Sequence, residues 1–345
     1  MGIRKEVRSL SAEQRKAFTD ALLMLKKQGR YDEYVHSHHA VMVPTVDPTE
    51  PPSPDYRNGA HRGPSFLPWH REFLMQVETD LQKINSAITI PFWNWTLDSK
   101  LPDPHKSPVW NDDFMGGNGV ESDDWKVGTG PFAYAAGDWP IPEHHDGPAL
   151  LRRFGSAVAN LPTPDDVALA MAEFVYDTPP YNSSPFTLGF RNRLEGWVTQ
   201  RGDPRIKFPG SQLHNRVHLW VGGSMMPMTS PNDPVFFLHH CYIDKTWADW
   251  QTKQDDGWKE SGYPGSAPRY NPISGGPQGH NVTDVLKPWK HTIKDVLDVS
   301  TLGYSYEKAA NQEHIFALTM ALKPPSLFAA APPSLAPGRS PFWAD

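Results

Sequence analysis

The chain has 345 residues, which at roughly 150 residues per domain allows two domains or one large one, and it sets 33 Lys and Arg against 39 Asp and Glu for a net charge of −6. With 38% hydrophobic and 12% aromatic residues, its composition is that of a globular chain with a substantial core, which excludes disordered and collagenous classes. The mildly acidic balance leaves no footprint for nucleic acid, the longest apolar stretches fall far short of the roughly 18 residues of a membrane span, and a single cysteine, Cys241, permits neither an internal disulfide nor a Cys-x-x-Cys zinc site.

Ser11 and Gln14 form a capping-box pattern, and Phe18, Leu22 and Leu25 recur at helical spacing, so residues 11–28 are predicted as a helix that Gly29 stops. A second helix is expected from about Asp32 to Met42. The segment from Pro44 to Gly63 is a Pro-rich and Gly-rich loop, and the next helix is expected from near Trp69 to Ile84 through Phe73, Val77 and Leu81. Ile88 to Trp95 reads as extended, and Lys100 to about Pro142 as irregular surface structure. Thr163, with Pro164 at the first helical position and Asp165 and Asp166 in the first turn, opens a helix to about Val175. Another is expected over Phe186 to Thr199. Asp233 and Pro234 open a last one, carried by Phe237, Cys241 and Trp247 to about Lys253. From Pro324 onward, six prolines in 22 residues mark a tail outside the core.

The 15 histidines matter by position. His214 and His218 stand four apart, on one face of a helix and within reach of one metal ion. His240, on a later helix, would complete a three-imidazole site with an open position. The first half of the chain repeats the arrangement with His38 on one helix, His61 in the following loop and His70 at the start of the next helix. Neither set has a carboxylate at ligand spacing, which suits copper better than the oxygen-preferring magnesium, calcium or manganese. Zinc also accepts three histidines. A di-iron carboxylate site needs Glu-x-x-His from two helices, and only Glu33 to His36 fits nearby.

Two longer segments carry a resemblance. His61-Arg62-Gly63-Pro64-Ser65-Phe66-Leu67-Pro68-Trp69-His70-Arg71 resembles the first copper motif of the tyrosinases, and Asn232 to Asp244, containing Phe236-Phe237-Leu238-His239-His240, resembles the second. Leu194-Glu195-Gly196-Trp197 and Leu213-His214-Asn215-Arg216-Val217-His218 are similar to the bacterial, Streptomyces-type members. The chain is thereby identified as a member of the type 3 binuclear copper family. The similarity runs to about residue 306, so residues 1–310 are expected to form one mainly α catalytic domain, a central four-helix bundle with long Pro/Gly-rich loops and few short strands. Residues 311–345 are expected to be a Pro-rich extension, which would lie over part of the surface and restrict substrate entry.

The resemblance implies two copper ions, copper A held by His38, His61 and His70 and copper B by His214, His218 and His240, with O2 as co-substrate. It selects His38 over His39 and His240 over His239, and leaves His36, His39 and His239 as packing or supporting residues. His105, His144, His145, His280, His291 and His314 are expected at the surface. The implied activity is oxidation of o-diphenols to o-quinones, with ortho-hydroxylation of monophenols in melanin or secondary-metabolite biosynthesis. A phenol hydroxyl has a pKa near 10 and must lose its proton first, and by resemblance Glu195 and Asn215 hold the water that takes it. The alternative for Glu195 is an ion pair with Arg191 or Arg193. Asp244 is expected to pair with a cation or orient a ligand, Phe236 to pack near copper B, and Cys241 to be buried packing. Gly59 stands where some relatives carry a cysteine crosslinked to a copper A histidine, so that crosslink is absent.

The loop from Pro44 to Gly59 departs from the Streptomyces tyrosinases and is closer to the o-aminophenol oxidases of the same family, which form quinone imines. Haemocyanins, which carry O2 without turnover, share the six-histidine site. Bacterial tyrosinases often receive copper from a small caddie-type partner. Met1 to Lys5 is followed by no apolar signal-type stretch, so residence in the cytoplasm, or export with a partner, is expected.

Overall fold

The structure, a computed structural model, describes residues 2–42, 58–142, 147–261 and 269–322. The chain begins with strand β1 (Gly2–Arg4) and enters helix α1 (Ala12–Lys27), where Ser11 and Gln14 close the expected capping box. Gly29, at φ 73°, turns the chain directly into α2 (Arg30–Met42). Most of the Pro44 to Gly59 loop lies outside the described residues. Helix α3 (Phe66–Ile84) starts three residues earlier than its apolar spacing suggests, because the Phe66 N–H already bonds the Gly63 carbonyl.

Ile88 to Phe92, expected to be extended, forms no regular strand among the described residues; it makes one β-bridge, from Phe92 to Glu6, its Ile90 N–H bonds Glu78, and α4 (Trp95–Asp98) follows. The irregular stretch after residue 100 contains 3-10 turns and a short antiparallel pair, β2 (Gly119–Val120) and β3 (Lys126–Val127). Helix α5 (Pro164–Met171) keeps the predicted Thr163 cap but ends earlier than expected. The Met171 carbonyl, which a helix to Val175 would bond to the Val175 N–H, accepts instead from Lys253 Nζ, and the Glu173 carbonyl accepts from Trp250 and Gln254. Helix α6 (Phe190–Glu195) is likewise shorter than Phe186 to Thr199. At its start Asn192 spends its amide on the Ser184 and Thr187 carbonyls, and at its end Gly196, φ 102°, turns where a Cβ would sit 2.0 Å from the Gln212 carbonyl oxygen.

Helix α7 (Leu213–Val221) carries the His214 and His218 pair, and α8 (Val235–Ser261), capped by Asp233, continues past the expected Lys253. Strand β4 (Tyr304–Tyr306) pairs parallel with β1, and α9 (Gln312–Ala321) packs on α5 with Ile315 buried. The tail from residue 323 lies outside the described residues, and with it the expectation that it covers a substrate entry.

The fold is mainly helical, with few short strands, and α3 packs along α8 at its centre. Buried ion pairs lock that pair. Asp244 on α8 accepts from Arg71 Nε on α3 at 2.6 Å, from Tyr304 at 2.7 Å and from Tyr306, while Arg4 of β1 bonds Glu78 of α3 at 2.9 Å. The chain's first and fourth strands are thus tied to the helix that carries His240. At the start of α8, Arg152 holds Asp233 through two bonds of 2.7 and 2.8 Å, both residues fully buried. Among the described residues no helix is long and apolar enough to cross a membrane.

Candidate metal centre

The four helices α2, α3, α7 and α8, with the loop before α3, bring two histidine groups together. His38, His61 and His70 form one; His214, His218, His239 and His240 form the other; within each, donor atoms all lie within 4.8 Å of one another. The six sequence-predicted ligands are therefore assembled as two sets of three. The sets face each other closely, since the rings of His70 and His240 stack at 4.2 Å with 18° between planes.

The ring orientations are fixed from behind. A ring whose Nδ1–H donates to a carbonyl carries its proton there and presents the Nε2 lone pair. His38 Nδ1 lies 2.7 Å from the Met228 carbonyl, His70 Nδ1 2.8 Å from that of Phe66, and His218 Nδ1 2.7 Å from that of Met225. His214 Nδ1 faces Asn215 Oδ1 at 3.0 Å and the Glu195 carbonyl at 3.3 Å.

The second set converges on a point. The Nε2 atoms of His214 and His218 are 3.1 Å apart, and each is 3.3 Å from Nε2 of His240. Three imidazoles each about 2.0 Å from one first-row metal ion in tetrahedral geometry would place their nitrogens about 3.3 Å apart, so this set fits a single ion. In the first set, Nε2 of His38 and of His70 are buried without a hydrogen-bond partner, a costly state that a metal ion relieves. Burial lowers the pKa of His38 to about 3 and of His218 to about 4, and pushes His61, His70, His214 and His240 well below the ordinary value. Neighbouring imidazoles lower the last four further. All six rings are then neutral, as metal ligation requires.

His239 differs from His240 although both are buried. Its Nδ1 accepts from the Trp95 indole at 3.2 Å, and its ring stacks on His214 at 5.2 Å, so it supports the set from one side. Phe236 is buried and stacks on His240 at 3.9 Å. Cys241 is buried with Sγ 3.3 Å from the Ile90 carbonyl, and burial pushes its thiol pKa far up. Asp244 pairs with Arg71, again as expected.

Asn215 meets His214 of the second set through its side chain, Glu195 only through its main-chain carbonyl. The Glu195 side chain is fully buried; Oε2 accepts from Arg191 Nη1 at 2.8 Å and Oε1 from the Arg62 backbone N–H at 2.6 Å. The ion pair expected as its alternative role is thus present, and the same carboxylate also holds the residue after His61. Asn215 Nδ2 is buried without a partner while its Oδ1 faces His214.

His280 corrects an expectation. It is fully buried rather than at the surface, receiving the Ser65 N–H at 3.1 Å and tying the last loop to the start of α3. An isolated histidine in a Gly/Pro-rich segment gives no sequence signal of that burial. His105, His291 and His314 are exposed, His291 resting on the buried Glu72 carboxylate at 3.0 Å, and His144 and His145 lie outside the described residues. The supports that residue reading missed are main-chain groups, the carbonyls of Met225 and Met228 and the amide of Arg62, whose bonding does not depend on side-chain identity.

Residues 28–253 match the family model described as the common central domain of tyrosinase. The chain is 42% identical over 309 residues to a tyrosinase of Streptomyces glaucescens, covering 89% of this chain and 99% of that protein. It is 36% identical over 328 residues to a grixazone synthase of Streptomyces griseus, with 89% and 99% covered. Among solved structures it is similar to a polyphenol oxidase of Thermothelomyces thermophila, at 22% identity and TM-score 0.62, covering 89% of each chain.

Proposed function

The chain belongs to the tyrosinase family, and within that family of type 3 copper oxidases we propose that it hydroxylates monophenols as well as oxidising o-diphenols, with Glu195 and Asn215 as the proton-handling pair. Copper A is assigned to His38, His61 and His70, and copper B to His214, His218 and His240. When bound, the two ions supply the one-electron steps that couple O2 reduction to two-electron oxidation of the diphenol. The observation carrying the assignment is the convergence of the three Nε2 atoms of the second histidine set at 3.1 to 3.3 Å, opposite the first set.

The chain's own residues supply the rest. The carbonyls behind His38, His70 and His218 hold each ring in the tautomer that offers Nε2. Asn215 Nδ2 is a buried donor in need of an acceptor on a side chain that faces His214, and the Glu195 carboxylate, whose main-chain carbonyl meets the same ring, has lone pairs beyond the two bonds it accepts. A water held between them can take the phenol proton, and Arg191 keeps the Glu195 carboxylate in place. Residues 1–310 are read as the catalytic domain and 311–345 as an extension whose first helix, α9, rests on α5.

A second reading, o-aminophenol oxidation, is favoured by the loop from Pro44 to Gly59. The 36% identity to grixazone synthase supports it, since an enzyme named for a biosynthetic product is that similar. Delivery of copper by a small partner protein, and residence in the cytoplasm or export with such a partner, are also proposals drawn from the family resemblance. The deciding experiment compares initial rates of the copper-loaded protein on tyrosine, a catechol and an o-aminophenol, with O2 uptake followed beside chromophore formation. Turnover of tyrosine without a long lag supports hydroxylation. Strong preference for the aminophenol with negligible tyrosine turnover overturns it.

A further inference from the structure

Six of the seven clustered histidines are buried, and His218 alone keeps partial exposure. A copper ion arriving from outside must therefore meet the centre at the His218 edge. That edge is built by the segment Gly222-Gly223-Ser224-Met225-Met226-Pro227-Met228. The Met225 carbonyl holds His218 of one set and the Met228 carbonyl holds His38 of the other, each at 2.7 Å, so the four-residue run from Met225 to Met228 touches a ligand of both metals. Met225 is buried, whereas Met226 and Met228 leave 54% and 45% of their surface exposed. Two exposed thioethers therefore stand within three positions, on the segment that bonds a ligand of each set. Pro227 between them restrains the backbone that carries both side chains.

Thioether sulfur is a soft ligand that prefers Cu(I), while Cu(II) favours imidazole nitrogen and oxygen. We propose that Met226 and Met228 form a Cu(I) entry site, capturing the ion at the exposed rim and passing it to His218 and His38, the ligands their own segment braces. The transfer is ligand exchange: thioether–copper bonds break as imidazole–copper bonds form, with no change of oxidation state and no proton released, because the receiving imidazoles are already neutral. The inference rests on the copper assignment above but concerns how the ions arrive, not the reaction they support.

The test uses the full chain without copper, mixed anaerobically with Cu(I) held by a chromophoric chelator, so that uptake is read as loss of chelator absorbance. Met226→Leu with Met228→Leu keeps apolar volume and removes both sulfurs. Its Cu(I) uptake should slow by about tenfold, the scale on which groups around a metal site act. Its Cu(II) uptake and the final content of two ions per chain should match the parent. Met24→Leu with Met320→Leu, exposed at 43% and 76% elsewhere on the molecule, should leave both rates unchanged. Equal Cu(I) uptake by the Met226 and Met228 variant and the parent overturns the proposal, and so does equal slowing of Cu(I) and Cu(II), which would mean only a disturbed brace. A parent chain that reaches no two-ion end point would instead overturn the copper assignment itself, and the parent measurement alone reveals it.

Discussion

The two histidine sets are built differently although each supplies three imidazoles. The second set stands entirely on helices, with His214 and His218 one turn apart on α7 and His240 on α8, and their three Nε2 atoms already converge within 3.3 Å. The first set takes His38 from α2, His70 from α3, and His61 from the loop between them, its ring centroids 4.8 to 5.7 Å apart against 4.6 to 5.6 Å in the second. That loop is held by polar bonds rather than by helix geometry: Asn58 Oδ1 accepts the His61 N–H, and Glu195 accepts that of Arg62, which sits at φ 62°. Helices preorganise one histidine set, and a buried carboxylate borrowed from α6 organises the loop of the other.

The sharpest way to break this contrast is to remove one ligand from each set. His240→Ala and His61→Ala should both reduce oxidase activity to background, since two electrons must pass through two ions, and each should retain one copper per chain by metal analysis. Retention of both ions in His240→Ala would refute the assignment of its convergent nitrogens. His239→Ala, by contrast, should keep two ions.

Glu195 tests the borrowed support. If it both takes part in phenol deprotonation and pins Arg62, Glu195→Gln keeps an acceptor for the Arg62 amide but loses the base, and general-base contributions run to about a hundredfold or more. Tyrosine hydroxylation should fall by about that factor, while catechol oxidation and copper A content should change far less. Glu195→Ala should in addition weaken copper A. Equal losses on both substrates in Glu195→Gln would leave the carboxylate a purely structural anchor.

On stability, the packed side should be the more sensitive one. Arg71→Ala removes the shorter of the two buried ion pairs that Asp244 makes, leaving Arg4 at 3.4 Å, and breaking such a buried pair costs about 3 to 5 kcal/mol. Chemical denaturation of the copper-free protein reads this directly; a loss below about 1 kcal/mol would mean that Arg4 and the Tyr304 and Tyr306 hydroxyls suffice to hold Asp244.

Acid separates folding from metal binding. His38 and His218 titrate at about 3 and about 4 in the folded chain against 6.5 when unfolded. Between those values the unfolded chain binds protons that the folded chain refuses. The stability these rings allow is therefore fully present above pH 6.5 and falls as pH drops toward 4, by about 1.4 kcal/mol per pH unit for each histidine. Because the folded imidazoles are neutral with or without copper over that range, the rise in Tm on copper loading should stay nearly constant from pH 7 to pH 5. A copper-induced rise that shrinks steadily over that interval would mean that the folded, metal-free rings take up protons.

The same contrast explains what was legible in the sequence. The His214 and His218 pair follows from helical spacing alone, and the capping box at Ser11, the Thr163 cap and the Asp233 cap appear where their residues place them. His61 is legible only through the motif around it, because a loop position has no periodicity. The lengths of α5 and α6 were not readable, since both end where carbonyls or side-chain amides are claimed by residues distant in sequence. The buried His280 and the main-chain braces at Met225, Met228 and Arg62 depend on tertiary contacts that residue identity does not encode.

Cys241 gives the smallest expected effect. It directly follows His240, the residue proposed as a copper B ligand, so a thiol role in metal binding is the natural suspicion, yet one residue of helix turns its side chain about 100° away. The sulfur is 3.3 Å from the Ile90 carbonyl in a fully buried position, and burial pushes its pKa up, so the thiolate that metals prefer is not formed. Cys241→Ala removes one buried sulfur and should cost about 1 kcal/mol, with copper content and activity unchanged. Loss of a copper ion from that variant would place Cys241 in the copper B site and end the argument that its three imidazoles hold the metal by themselves.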